Sequence, residues 1–177
     1  MDLGELPRRN VRRYPHKICL VEGRKRYTFQ EFNQRVNCLA NGLLDLGVAK
    51  GDRIAILLHN CSEYAELYFS LAKIGGIIVP LNYRLKANEY VTYFNLCQCN
   101  VFVFGEALIN EVKEIRSSLE MVKHFIIVGK SPKEEGIHYD DLLLHSSPSE
   151  PAAEVEEKDV AAIFFTSGTT GFPKGAM

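Results

Sequence analysis

Two rhythms of apolar residues alternate along this chain: compact runs of four to six, and longer stretches spaced by three and four. The first compact runs, Ile18-Cys19-Leu20-Val21 and Arg26-Tyr27, flank Glu22-Gly23-Arg24-Lys25 and predict a small β-hairpin. Thr28 then opens a helix with a capping-box pattern. Its hydroxyl is placed to accept from the Glu31 N–H while the Glu31 carboxylate reaches back. Phe32, Val36, Leu39, Leu43 and Leu46 follow at helical spacing and give one apolar face, read as core packed on a sheet. Gly47 supplies the left-handed stop.

The alternation continues. Arg53 to Leu58 reads as a buried strand. Asn60-Cys61-Ser62 caps a helix from Glu63 to Ile74, with Ala65, Leu67, Phe69, Leu71 and Ala72 on its apolar face, and Gly75-Gly76 ends it. Ile77-Ile78-Val79-Pro80 is a strand, Ala87 to Leu96 a helix, Asn100 to Phe104 a strand, Leu108 to Leu119 a helix, and His124 to Val128 a strand. The fold class expected is α/β, with alternating strand–helix units and a mostly parallel sheet joined by right-handed crossovers.

After Gly129 the composition shifts. Ser131-Pro132-Lys133-Glu134-Glu135-Gly136 reads as a surface loop, Tyr139 to His145 as a short helix, and Ser146 to Lys158 as a polar acidic connection. The run Glu154-Val155-Glu156-Glu157-Lys158-Asp159 is taken as a solvated loop rather than a metal site. Val160-Ala161-Ala162-Ile163-Phe164-Phe165 is the last strand, expected to be buried.

That strand opens into Thr166-Ser167-Gly168-Thr169-Thr170-Gly171-Phe172-Pro173-Lys174-Gly175, at the strand end where open α/β sheets place ligands. Hydroxyls and unhindered backbone N–H groups can donate to phosphate oxygens, and Lys174 can neutralise charge as a mobile point cation. Glycine lets the backbone approach closely and permits positive φ. Pro173 stiffens the exit. The pattern is not a Walker A element, which needs four residues between its glycines and then Gly-Lys-Ser/Thr. Ser167 lacks the Gly-x-Ser-x-Gly context of a serine hydrolase.

The ten residues match, along their whole length, the phosphate-loop signature of the adenylate-forming (AMP-binding) superfamily. That superfamily comprises acyl-CoA synthetases, peptide-synthetase adenylation domains and luciferases. Upstream, Tyr27 to Phe32, Gly47 to Ala55 and Ala72 to Asn82 also resemble it. Pro80-Leu81-Asn82-Tyr83-Arg84-Leu85, with Thr169 in the loop, looks more like an acyl-CoA synthetase than a peptide-synthetase domain. Tyr83 departs from the proline often found there.

The resemblance implies that residues 1–177 are the N-terminal portion of an adenylate-forming large domain, cut just after the phosphate loop, with 1–13 as a flexible arm. It implies ATP, Mg2+ and coenzyme A as substrates or cofactors of the intact enzyme, and a carboxylic acid, a fatty acid by branch resemblance. ATP phosphate binding falls to Thr166, Ser167, Gly168, Thr169, Thr170, Gly171 and Lys174, although Thr166 is equally placed to end the strand ladder. Catalytic, adenine-binding and Mg2+-binding residues are expected beyond Met177, so this chain alone is expected to be inactive. The alternatives are an adenylation domain loading a carrier-protein thiol, or a non-catalytic stand-alone fragment. Tyr83 and Arg84, past a strand end, either approach the cleft or form an ordinary surface turn.

Bulk properties constrain the rest. The 177 residues carry 46% hydrophobic and 24% charged positions with net charge −1, ordinary for one soluble domain and without the excess positive charge of a nucleic-acid binder. Arg8-Arg9, Arg12-Arg13 and Arg24-Lys25-Arg26 are basic clusters, read as a solvated surface, with peripheral contact to an anionic membrane as the alternative. No run approaches the roughly 18 apolar residues of a transmembrane helix. The acidic N-terminus lacks a signal-peptide core, so a cytoplasmic location is expected. Cys19, Cys38, Cys61, Cys97 and Cys99 are read as free thiols, and neither they nor the five histidines show metal-ligand spacing.

Overall fold

The computed structural model describes residues 3–130, 135–166 and 174–177. The hairpin forms as expected, β1 (Ile18–Glu22) antiparallel to β2 (Lys25–Thr28) around Gly23 at φ +54°. Helix α2 (Phe29–Asp45) starts on the complete Thr28–Glu31 capping box. Gly47 follows it at φ +85°, a left-handed conformation that disfavours any residue with a Cβ.

The central sheet contains β3 (Arg53–Leu57), β4 (Ile77–Pro80), β5 (Val101–Gly105), β6 (His124–Val128) and β7 (Ile137–His138), in the order β4-β3-β5-β6-β7 with every pair parallel. Period-two alternation splits its side chains between two cores. Ile54, Ile56, Val101, Val103 and Ile126 point to one face and meet α2, α3 (Ser62–Ile74) and α6 (Tyr139–His145). Ala55, Leu57, Val79, Phe102, Phe104 and Ile127 point to the other and meet α4 (Ala87–Cys97) and α5 (Ile109–Ile115). Each large side chain so buried contributes roughly 1.5–3 kcal/mol. Both faces are covered, which is why the strands read as nearly continuous apolar runs rather than alternating ones.

Three expectations need correction. The N-terminal arm is helical from residue 5: α1 (Glu5–Arg13) packs on α2, with Pro7 buried. Its docking is close, since a Cβ on Gly4 would lie 2.8 Å from the Lys73 Cα. The helix expected over Leu108 to Leu119 is interrupted. It runs as a 3-10 turn (Glu106–Leu108), α5, and a second 3-10 turn (Arg116–Ser118). Helix α3 has Cys61 at its N-cap, without a side-chain hydrogen bond, and begins at Ser62, whose hydroxyl donates to Glu22 Oε2 at 2.7 Å.

All five cysteines are free thiols, Cys97 and Cys99 buried and the others half-buried. Burial pushes each thiol above its ordinary pKa, Cys61 to about 11 and Cys99 to about 12. Among the described residues no helix is long and apolar enough to cross a membrane.

Candidate functional site

The polar segment after α6 is fixed in place before it reaches the phosphate-loop sequence. Asn33, Asn37 and Asn41 stand one helical turn apart on α2. Asn41 Nδ2 donates to Ser147 O (2.7 Å) and Ser149 O (2.9 Å), Asn37 Nδ2 to Pro148 O (2.9 Å), and Asn33 Nδ2 to Glu150 Oε1 (2.9 Å). Lys73 Nζ, on α3, donates to Asn33 Oδ1, Asn37 Oδ1 and Glu150 Oε2. Burial pushes the Glu150 carboxyl up, but hydrogen bonds from Asn33 and Lys73 outweigh that and hold it below the usual carboxylate range. A second tie follows where Lys50 Nζ meets Asp159 Oδ2 at 2.6 Å.

Beyond that tie the chain lies beside β4. Ile78 N–H donates to Ala161 O (3.0 Å) and Ile163 N–H to Ile78 O (2.8 Å), making a parallel bridge between Ile78 and Ala162. The direction of the bridge carries the following residues past Pro80, to the C-terminal edge of the sheet. There β8 (Phe164–Thr166) leaves β4 and pairs antiparallel with β9 (Lys174–Ala176). The run from Val160 to Phe165 is therefore not one buried strand. Phe164 is 49% exposed.

The hairpin is seated by Phe165, whose ring meets Tyr93 of α4 edge-on at 4.2 Å. Gly175 passes tightly over Ile163, where a Cβ would come within 2.8 Å of Ile163 Cγ2. Thr166 and Lys174 stand opposite each other as the last described pair, with Thr166 Oγ1 3.5 Å from Lys174 O and both residues exposed. Thr166 thus closes the ladder at the neck of the loop, and Lys174 returns from it. Ser167, Gly168, Thr169, Thr170 and Gly171 lie outside the described residues.

Neighbouring strand ends contribute to the same edge. His59, just past β3, lies against Tyr83, just past β4, with ring centroids 4.5 Å apart, and the Arg84 guanidinium sits 5.7 Å from the Tyr83 ring. Asn82 Oδ1 accepts the Arg84 N–H at 3.0 Å, and Tyr90 Oη donates to Asn82 O at 3.1 Å. Tyr83 and Arg84 therefore belong to the C-terminal edge, held there by an Asn-centred turn. His59 was not singled out by sequence; a lone histidine after an apolar run gives no signal.

A second buried polar group lies away from this edge. Glu66 on α3 is fully buried, 2.5 Å from Arg35 Nε and 2.5 Å from Tyr139 Oη. Burial, and then the Glu66 charge, push the Tyr139 hydroxyl well above its ordinary pKa. Three members on three elements, all bonded, mark a structural network rather than a reaction site. Among the described residues no group of three His, Cys, Asp or Glu is arranged to hold a metal ion. No Mg2+ ligand is assigned in this chain.

The antiparallel β8–β9 pair, with Thr166 and Lys174 as its last described rung, thus lies at the C-terminal edge of a parallel α/β sheet, the edge where open sheets of this class place ligands. The AMP-binding enzyme model matches residues 7–177, and the chain belongs to that family. A crotonobetaine/carnitine–CoA ligase of Salmonella enteritidis is 34% identical over 159 residues, covering 86% of this chain and 30% of that protein. A ligase of the same description from Escherichia coli is 34% identical, covering 93% and 34%. Among solved structures, an anthranilate CoA ligase in complex with anthranoyl-AMP superposes with TM-score 0.93 at 27% identity, over 99% of this chain and 34% of that one. A fatty acyl CoA synthetase from Mycobacterium tuberculosis gives 0.86 at 29% identity, over 98% and 34%. The chain thus spans about a third of the length of these relatives.

Proposed function

We propose that this chain is the N-terminal piece of an ATP-dependent carboxylate–CoA ligase, which activates a carboxylic acid as an acyl-adenylate and passes it to coenzyme A. The observation that carries the reading is the β8–β9 hairpin at the sheet's C-terminal edge, with Thr166 and Lys174 paired at its neck. Its sequence, Thr166 to Gly175, is the stretch in which hydroxyls, glycines and a lysine suit a polyphosphate.

In the first half-reaction the carboxylate oxygen bonds to the α-phosphorus of ATP, and the bond to pyrophosphate breaks. In the second, the coenzyme A thiol, losing its proton, attacks the acyl carbon and AMP leaves. Anion meets polyanion in the first step, so charge placement is the main task. Lys174 offsets the charge that grows on departing pyrophosphate. Ser167, Thr169 and Thr170 donate hydroxyls to the phosphates, and Gly168 and Gly171 admit close backbone approach. Thr166, engaged in the ladder, fixes where the phosphate-loop stretch departs from β8. Mg2+, when bound, supplies further charge neutralisation; its ligands lie outside the set assigned here.

The acid is open across the relatives, whose descriptions name carnitine-type, anthranilate and fatty acyl substrates. A fatty acid is our reading from the Pro80–Leu85 stretch. The test is ATP–pyrophosphate exchange by the longer protein that carries this sequence, screened over fatty, aryl and short acids. Acid-dependent exchange followed by acyl-CoA formation supports the ligase. Exchange with transfer only to a carrier-protein thiol would favour the adenylation-domain alternative, and no exchange with any acid would sink both. The 177-residue chain alone is expected to give none.

A further inference from the structure

We propose that α1 and the β1–β2 hairpin form a docking face for an anionic lipid bilayer. The charge of the chain is distributed very unevenly. Residues 1–28 hold eight Lys or Arg against three Asp or Glu, a net +5, whereas residues 29–177 hold thirteen against nineteen, a net −6. The overall value of −1 hides this dipole. Folding places the basic residues together: α1 packs on α2 and the hairpin packs on α2 and α3, with Phe29 N–H bonded to Lys17 O and Gln30 N–H to Pro15 O at the junction. Arg8, Arg12, Arg13, Lys17, Arg24 and Arg26 are exposed.

Charge alone would describe a solvated face or a nucleic-acid surface equally well. The apolar residues decide between them. Leu3, Tyr14, Ile18 and Val21 are 46–56% exposed, and they make up four of the ten large exposed hydrophobics among the described residues. Tyr14 and Val21 lie directly beside cations, whereas Leu3 lies with Ala72 and Asp159 instead. Val21 stands directly across from Arg26 in the hairpin ladder, so both project from one side of it, and Lys17 Nζ lies 5.6 Å from the Tyr14 ring. Basic groups set among exposed aliphatic and aromatic ones match a surface that meets lipid phosphates and the acyl boundary at once. Aliphatic side chains such as Val21 and Ile18 offer nothing to a phosphate backbone or a stacked base.

The test uses the 177-residue chain and vesicles of phosphatidylcholine with or without phosphatidylglycerol, read by co-sedimentation. Binding is expected to the phosphatidylglycerol vesicles and not to phosphatidylcholine alone, and to weaken with added salt. The variant R12E/R13E/R26E is expected to lose binding by about fivefold or more per charge. Val21→Ser, which removes the apolar group without changing charge, is expected to weaken vesicle binding severalfold while leaving retention on heparin unchanged, which a purely electrostatic surface would not do. Both sets of positions are exposed, and far-UV circular dichroism checks that the variants remain folded. Equal binding to neutral vesicles, no binding to either kind, or an inert Val21→Ser would overturn the proposal. Duplex RNA displacing the chain from vesicles without regard to Val21 would assign the face to nucleic acid instead.

Discussion

Lys73 Nζ sits 2.5 Å from Glu150 Oε2, joining α3 to a coil segment 77 residues further on. The Lys73 side chain is 4% exposed and Glu150 is 37% exposed, so the pair lies at the boundary of the core. Removing the carboxylate leaves a nearly buried ammonium without its Glu150 counter-charge. Glu150→Ala should therefore cost about 1–3 kcal/mol, reduced from the fully buried case by solvent reaching Glu150. Lys73→Met should cost less, because Glu150 keeps its asparagine donors and water. Urea denaturation monitored by circular dichroism gives both values.

The same pair sets an acid limit. Glu150 has its carboxyl pKa lowered in the fold from a reference of 4.5. A depressed carboxylate stabilises above the unfolded pKa and loses that contribution as pH falls through the folded one. Stability should hold steady from neutral pH to about 5 and then decline below the reference value. In Glu150→Gln the decline below that point should be shallower than in the parent chain. Urea midpoints over an acid pH series measure this.

Glu66 offers a stricter case. It is fully buried and bonded to Arg35 and to Tyr139. Glu66→Ala should destabilise by about 3–5 kcal/mol, since it strands a guanidinium and a phenol at once. Tyr139→Phe removes only one donor and should cost about 1 kcal/mol. An equal effect of the two substitutions would show that the network is not organised around the carboxylate.

Burial also governs the thiols. With Cys61 raised to about 11 and Cys99 to about 12, the thiolate fraction at neutral pH is very small. Maleimide labelling of the folded chain at pH 7 should be slow at all five cysteines and complete in denaturant. Rapid labelling of Cys99 in the native chain would mean that the α4–β5 junction opens readily.

In the longer ligase proposed above, Lys174→Ala should slow adenylation more than it weakens binding of the acid, seen as a fall in kcat with little change in the acid KM. Gly175→Val should act on the same step from β9, at the end of the stretch. Its side chain would force Ile163 away from its present position, 2.8 Å from where a Cβ would stand, and shift the hairpin neck. Pyrophosphate exchange and equilibrium acid binding separate the two effects.

Much of this architecture is written locally. The Thr28–Glu31 box, the Gly47 and Gly75 stops and the helix from Tyr139 to His145 were legible because each depends on residues within one or two turns. What sequence missed depends on distant partners. Lys174–Ala176 has no alternation to announce a strand; it is one because residues 164–166 lie opposite. Helix α1 is masked by its arginines, and only its docking against α2 and α3 makes it structural. Glu66 and Lys73 look like surface charges of an amphipathic helix until Arg35, Tyr139 and Glu150 arrive. The asparagine spacing at 33, 37 and 41 was a readable signal, but nothing in it says what the amides bind.

Two of those asparagines, Asn37 and Asn41, hold the following segment by its backbone carbonyls at Ser147, Pro148 and Ser149, while Asn33 takes the Glu150 carboxylate. Grip on a main chain is indifferent to side chains. The route toward the phosphate-loop hairpin is thus recorded on α2 rather than in the segment that follows it. The side chains at 148 and 149 make none of these bonds and are free to change, whereas a single inserted residue would throw every carbonyl out of step with its amide. Drift in spelling is tolerated there; drift in length is not.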